Sequence, residues 1–276
     1  MTLITAVINN KGGVGKTTTA TNLATGLTLL KQKVLVIDLD PQGNIAYSVG
    51  IEPYDIKQVP ITVGDLLYNP SLKIDKAIIK TKFFDLIANN MYTYQKTSSK
   101  KSNNRLKELI DGAKLKYDHI ILDTPPSIDY HTINGIVASD ILLIVSEFSK
   151  FSMVGVKVLV GVLNNWSPNE PEVAAALASK PQPILFTLYD SRTTLTKTLE
   201  NLIEKESPKS LILETRIPRT VKVQESAFEG VPSIMKANNP AGKEYKKLAE
   251  TWYLAGKTGL LLGKTYRIDL VSKKKK

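Results

Sequence analysis

The run Lys11-Gly12-Gly13-Val14-Gly15-Lys16-Thr17-Thr18 leaves this chain the fewest options, because three glycines and two lysines stand between a strand-like segment and a helix-like one. Leu3, Ile4, Ala6, Val7 and Ile8 precede it and read as a buried parallel strand. Ala20, Leu23, Ala24 and Leu27 follow at helical spacing and form one apolar stripe, expected to face a sheet. A glycine-rich turn from strand into helix lets successive backbone N–H groups curl around phosphate oxygens, at a helix end whose dipole favours anions. Lys16 then supplies a point charge for the β- and γ-phosphates and Thr17 a hydroxyl for Mg²⁺, so Lys11 to Thr18 read as a nucleoside triphosphate site. The strict phosphate-loop pattern asks for glycine at position 10, where Asn10 stands, and does not ask for Lys11.

Beyond this loop, apolar runs near 3–9, 33–38, 83–88, 118–123, 140–146, 183–188 and 211–215 alternate with helical patterns near 17–31, 62–69, 103–115, 131–138, 151–165, 193–206, 221–229 and 241–255. Such alternation predicts an α/β fold, a doubly wound and mostly parallel sheet with helices on both faces and ligands beyond the carboxyl ends of the strands. Residues 96–104 and 167–172 read as exposed loops. The chain of 276 residues, 42% hydrophobic, is expected to form one domain over 1–255 built around the phosphate loop, followed by a basic tail over 256–276. No apolar run reaches the roughly 18 residues of a membrane span and no leader precedes the first strand, so a cytoplasmic protein is expected. With no cysteine, disulfides, thiolate nucleophiles and iron–sulfur ligation are all excluded.

Carboxylates stand at two of the predicted strand ends. Val34-Leu35-Val36-Ile37 runs into Asp38-Leu39-Asp40-Pro41-Gln42-Gly43-Asn44, where period-two alternation puts Asp38 and Asp40 on one side and Pro41 and Gly43 open a loop. Ile120-Ile121-Leu122 closes on Asp123-Thr124-Pro125-Pro126-Ser127, a layout in which the aspartate accepts hydrogen bonds from magnesium-bound water.

The two-lysine loop KGGVGKTT resembles the deviant Walker A box of the ParA/MinD superfamily of P-loop ATPases, and the likeness extends over roughly residues 3–255. It implies ATP and Mg²⁺ as ligands and an ATP-sandwiched homodimer in which Lys11 reaches across the interface to act in catalysis. DLDPQGN is similar to the ParA-type switch I; by that resemblance Asp40 aligns the attacking water and Asp38 supports the magnesium shell. DTPPS is similar to the ParA form of switch II, with Asp123 toward the metal and Pro125 and Pro126 stiffening the loop. Pro218 and Arg219 match the family turn that lines the adenine, and Arg192 and Lys222 match positions of cationic DNA contacts. Beyond Glu225 the chain departs from the usual family pattern. Relatives that depend on cysteine-bound clusters, such as the nitrogenase iron protein, are set aside by the missing cysteines.

The formal net charge of +11 calls for a polyanionic partner, and from Lys236 onward eleven Lys and Arg outnumber three acids. One reading is therefore a partition or positioning ATPase, slow in intrinsic turnover and nucleoid-associated. It would bind DNA without sequence preference and be released when a ParB-like or McdB-like adaptor stimulates hydrolysis. Its cargo would be a plasmid, a chromosome region or, as in the McdA variant, a carboxysome. An alternative is a MinD-like membrane-cycling ATPase, resting on Gly259-Leu260-Leu261-Leu262 and the basic residues after it. A third, an ATP-driven enzyme of small-molecule metabolism, has only the fold in its favour.

Overall fold

Eight strands form one sheet in the order β3-β4-β2-β5-β1-β6-β7-β8. They are β1 Leu3–Ile8, β2 Val34–Asp38, β3 Ile79–Lys80, β4 Asp85–Ile87, β5 His119–Asp123, β6 Ile141–Glu147, β7 Ile184–Tyr189 and β8 Ile212–Pro218. Among the described residues only the edge pair β3–β4 is antiparallel. The helices are α1 Lys16–Leu29, α2 Asn44–Ser48, α3 Val63–Tyr68, α4 Arg105–Lys114, α5 Tyr130–Ala138, α6 Pro171–Ser179, α7 Val221–Phe228 and α8 Pro240–Thr258. The computed structural model describes residues 2–92, 102–114, 116–149, 171–192 and 212–258. The expected helices at 151–165 and 193–206, most of the 96–104 loop, and the tail from 259 with its Gly259 to Leu262 segment lie outside the described residues.

Alternation along each strand splits the core in two. Ile4, Ala6 and Ile8 of β1 pack with Leu35, Ile37, Ile120 and Leu122 under α3, α4, α5 and α6. Leu3, Val7, Val36, Ile121, Leu143 and Val145 pack on the other face under α1, α2 and α8. Both faces are covered, which is why the strands read as unbroken apolar runs.

Four segments differ from the expectation. The 167–172 loop gives way to α6 from Pro171, since proline is tolerated in the first turn of a helix and the following EVAAALAS favours helix. The short helix α2 and the edge strand β3 leave no periodic signal, being five and two residues long. The first three residues of the expected tail, 256–258, are the last turn of α8.

Helix α1 is not amphipathic in the usual sense. Ala20, Leu23, Ala24 and Leu27 are buried as expected, but Thr19, Thr21, Asn22 and Thr25 are buried too, because α8 and the turn at Ser233–Met235 cover the helix's second side. The polar atoms there are used: Asn22 Oδ1 accepts from Ile234 N at 2.8 Å, and Thr19 Oγ1 lies 3.2 Å from the Tyr245 hydroxyl. Trp252, fully buried on α8, donates from Nε1 to Thr5 Oγ1 at 2.9 Å and ties that helix to β1.

The α1–α8 crossing turns on Gly26. A methyl group there would come within 2.5 Å of Ala249 Cβ and 3.0 Å of Ile234 Cδ1. Gly26→Ala is therefore expected to destabilise the fold by about 1–3 kcal/mol in urea unfolding despite its better helix propensity, and a second change, Ala249→Gly, should recover part of the loss.

At the opposite end of α8, His119 is buried against Gly256, and its Nδ1 has no hydrogen-bond partner among the described residues. Burial pushes its pKa down to about 4. The folded state therefore refuses a proton that the unfolded chain accepts near pH 6.5, so the stabilising difference is full above 6.5 and is lost as pH falls toward 4. Wild type should lose its advantage over His119→Gln across that window, by at most about 3 kcal/mol, measured as unfolding free energies at pH 7.5 and pH 4.

Candidate active site

The loop between β1 and α1 is shaped by its glycines. Gly13 (φ +74°) and Gly15 (φ +89°) take left-handed conformations, and Gly15 stands at the N-terminal end of α1 with no side chain capping the helix. The first N–H groups of α1 are thereby left for an anion. Outside contacts fix the loop. Asn9 Nδ2 donates to Val145 O at 2.7 Å while its Oδ1 accepts from Lys11 N at 2.9 Å, and Thr187 Oγ1 donates to Val14 O at 2.6 Å.

The two lysines of the loop are held differently. Lys16 is 7% exposed and donates from Nζ to Lys11 O at 3.2 Å, folded over the loop's own cradle. Burial lowers its pKa, against the pull of Asp123 and Asp40. Lys11 is 60% exposed and turns away from the cradle to Glu147 Oε2, 2.5 Å from its Nζ. Glu147 ends β6, and its other oxygen is 3.7 Å from the Arg219 guanidinium.

Strand register gathers the carboxylates. Asp38 pairs with Asp123 across β2–β5, and Asp123 pairs with Val7 across β1–β5, so both acids lie on the α1 side of the sheet beside the loop. Asp38 is fully buried and already occupied. Its Oδ1 accepts from Asp40 N at 3.0 Å and its Oδ2 from Ile45 N at 3.1 Å, so it also folds the turn that leads into α2. Burial raises its pKa well above the carboxylate range, and the neighbouring Asp123 and Asp40 raise it further. Asp40 accepts from Gln42 N at 2.9 Å and is also shifted up by burial.

Asp123 differs from both. It is fully buried, and among the described residues neither oxygen finds a hydrogen-bond partner of good geometry. Burial raises its pKa to about 7, moderated by the nearby Thr17 hydroxyl and Lys16. An orphaned buried carboxylate beside a threonine hydroxyl is the donor set that suits Mg²⁺, which takes one or two protein ligands and completes its shell with phosphate and water oxygens. Among the described residues no group of three acidic or histidine side chains could hold a metal by itself, so the fit requires phosphate.

Beside the loop lies a cavity of about 500 Å³, a size suited to a nucleotide base and sugar. Gly13, Gly15 and Thr18 form one wall, and Ile217, Pro218 and Arg219 another. Pro218 and Arg219, expected from the resemblance to line the adenine, both line this cavity. Arg219 is held there by its N–H to Tyr189 O at 2.9 Å.

Of the expected DNA-contact residues, Arg192 is exposed but folded back on Asp190 in a two-pronged ion pair, Nε to Oδ1 at 2.9 Å and Nη2 to Oδ2 at 2.8 Å. That hydrogen bonding holds Asp190 down at about 2. Lys222, in the first turn of α7, donates to Asn238 O at 2.9 Å. Neither cation is as free as the sequence implies. Sequence reasoning missed Glu147, Thr187, Asn9 and Tyr245. Glu147 and Thr187 stand at the carboxyl ends of expected strands and were findable by that rule, whereas Tyr245 lies inside a helix with no local signal.

Comparisons with known proteins bear on the family and the fold. Residues 2–171 match the AAA domain family AAA_31. The sporulation initiation inhibitor protein Soj of Bacillus subtilis is 33% identical over 256 residues, covering 90% of this chain and 96% of Soj. Two solved structures share the fold. Cobyrinic acid a,c-diamide synthase of Mycobacterium smegmatis, with bound ATP analogue and magnesium, has a TM-score of 0.73 at 24% identity and covers 94% of this chain and 97% of its own. Apo McdA of Cyanothece has a TM-score of 0.74 at 20% identity, with coverage of 91% and 100%. The chain belongs to the AAA_31 family and is an ATPase of the ParA/MinD type.

Proposed function

We propose that this chain is a partition or positioning ATPase that dimerises around ATP, binds DNA without reading its sequence, and is released when an adaptor of the ParB or McdB kind stimulates hydrolysis. The observation that carries the reading is the posture of Lys11. Its ammonium is at the surface on Glu147, away from the cradle that Lys16 already serves. A lysine so placed meets a phosphate only when a second nucleotide-bearing surface is brought up to it, which is what a sandwich dimer supplies.

Within each subunit the loop N–H groups from Gly12 to Thr18 and the Lys16 ammonium hold the triphosphate, while Pro218 and Arg219 flank the base. Thr17 and Asp123 would hold Mg²⁺, supported by Asp38, and the ion supplies charge neutralisation on the β- and γ-phosphate oxygens. Asp40 orients the attacking water, its carboxylate steadied by Gln42 N. DNA binding draws on the net charge of +11, with Arg192 and Lys222 as contacts. A phosphodiester reaching Arg192 must displace or share it with Asp190.

Lys11→Ala tests the reading. The variant should bind Mg²⁺-ATP with affinity close to the parent, because the cradle keeps Lys16, yet lose the ATP-dependent dimer in sedimentation velocity and lose turnover at least about a hundredfold. A normal ATP dimer of this variant would remove the trans role of Lys11.

A further inference from the structure

The amino end of the sheet, opposite the phosphate loop, carries a cleft of about 430 Å³. It opens beside the antiparallel edge, between the α1–β2 turn (Gln32, Lys33), the β3–β4 hairpin (Lys80 to Asp85) and the residues leading into β5 (Lys116, Tyr117). Four lysines line it, Lys33, Lys80, Lys82 and Lys116, against one carboxylate, Asp85. That carboxylate is already neutralised, accepting from the Tyr117 hydroxyl at 2.6 Å and paired with Lys80. Lys116 is paired across the rim with Asp75 at 2.6 Å. Lys33 and Lys82 are exposed, and among the described residues their ammonium groups make no hydrogen bond or ion pair. Asp118, the nearest further acid in sequence, spends Oδ2 on the backbone N–H of Lys33 at 2.8 Å.

Two exposed cations without an ion-pair partner among the described residues, Lys33 before β2 and Lys82 before the neighbouring β4, line a recess whose one described lining acid is already satisfied, and they form an anion site that has no use in the nucleotide chemistry. Strands of about five residues, each rising roughly 3.3 Å, put it some 15 Å from the phosphate loop through the sheet. We propose that this cleft is a second polyanion surface, binding the phosphodiester backbone of nucleic acid without ATP but more weakly than the ATP dimer does, so that hydrolysis still lowers the chain's hold on DNA. The recess favours a nucleic acid backbone over an anionic membrane. A chain of phosphates can follow a recess lined by Lys33 and Lys82, whereas a plane of headgroups needs cations on a level face with apolar side chains to insert, and the apolar side chains lining the cleft, Val34, Phe83, Phe84 and Tyr117, are buried or partly buried. The cleft stands apart from Arg192 and Lys222, which lie at the carboxyl ends of the strands.

The test is fluorescence anisotropy of a short labelled DNA duplex titrated with the full chain, over a salt series, with and without Mg²⁺-ATP. Wild type without nucleotide should bind, and Lys33→Gln/Lys82→Gln should weaken that binding about tenfold or more at low salt and flatten the logarithmic salt slope by about two. Lys33→Arg/Lys82→Arg should restore both. ATP turnover and the increment in affinity produced by ATP should persist in the glutamine variant, since these belong to the other end of the molecule. The proposal fails if nucleotide-free binding is absent or unchanged by the glutamine pair, or if the two lysines govern capture by phosphatidylserine vesicles but not by the duplex. Loss of the ATP increment in wild type would overturn the proposed cycle and leave the cleft standing.

Discussion

The pairing of Asp38 with Asp123 across β2 and β5 is the constraint on which the rest of this structure depends. Two carboxylates directly opposite each other on adjacent strands repel, and here both are fully buried with Asp40 close by. One buried lysine, Lys16, offsets part of that charge. A sheet built only for stability would put apolar residues at these positions. The surrounding fold holds the arrangement rigid: Asn9 and Thr187 pin the phosphate loop, and α8 clamps α1 through Tyr245, Trp252 and the Gly26 crossing. The strain is local and its relief is chemical, through the cations and phosphates that such a cluster recruits.

The pairing pattern also governs what the surface can do. Lys11 is held by Glu147, Arg192 by Asp190 and Lys222 by a backbone carbonyl. Each of these cations must exchange a partner within the fold for any external phosphate, so binding at the nucleotide end is a competition rather than simple attraction. At the other end Lys80 and Lys116 are likewise paired, whereas the ammonium groups of Lys33 and Lys82 have no such partner among the described residues.

Much of this was legible in the chain. The loop, the strand-end acids and the strand–helix alternation are local patterns, and local patterns survive in a linear reading; β1, β2, β5 and α1 lie within one or two residues of expectation. What escaped is set by tertiary contact. The burial of Thr19, Asn22 and Thr25 depends on a helix more than two hundred residues later, and Glu147 acquires meaning only when β6 lies beside β1. The occupation of both Asp38 oxygens by backbone N–H groups could not be foreseen from period-two alternation, which fixes a side but not a partner. Helix α6 was not foreseen, because the Pro/Glu-bearing 167–172 stretch reads as a loop, whereas Pro171 begins the helix.

The central claim is that buried Asp123 is a cost to the empty fold and a requirement of the nucleotide-bound one. Thermal unfolding of Asp123→Asn beside wild type, with and without Mg²⁺-ATP, tests both halves. The folded pKa near 7 lies above the unfolded value near 4, so the penalty of ionisation grows between pH 4 and pH 7 and is full above it. At pH 8 the nucleotide-free variant should be more stable by about 1–3 kcal/mol, an advantage that shrinks as pH falls toward 4, and it should gain little from Mg²⁺-ATP while wild type gains several degrees. A variant less stable than wild type when empty, yet stabilised equally by Mg²⁺-ATP, would contradict the account.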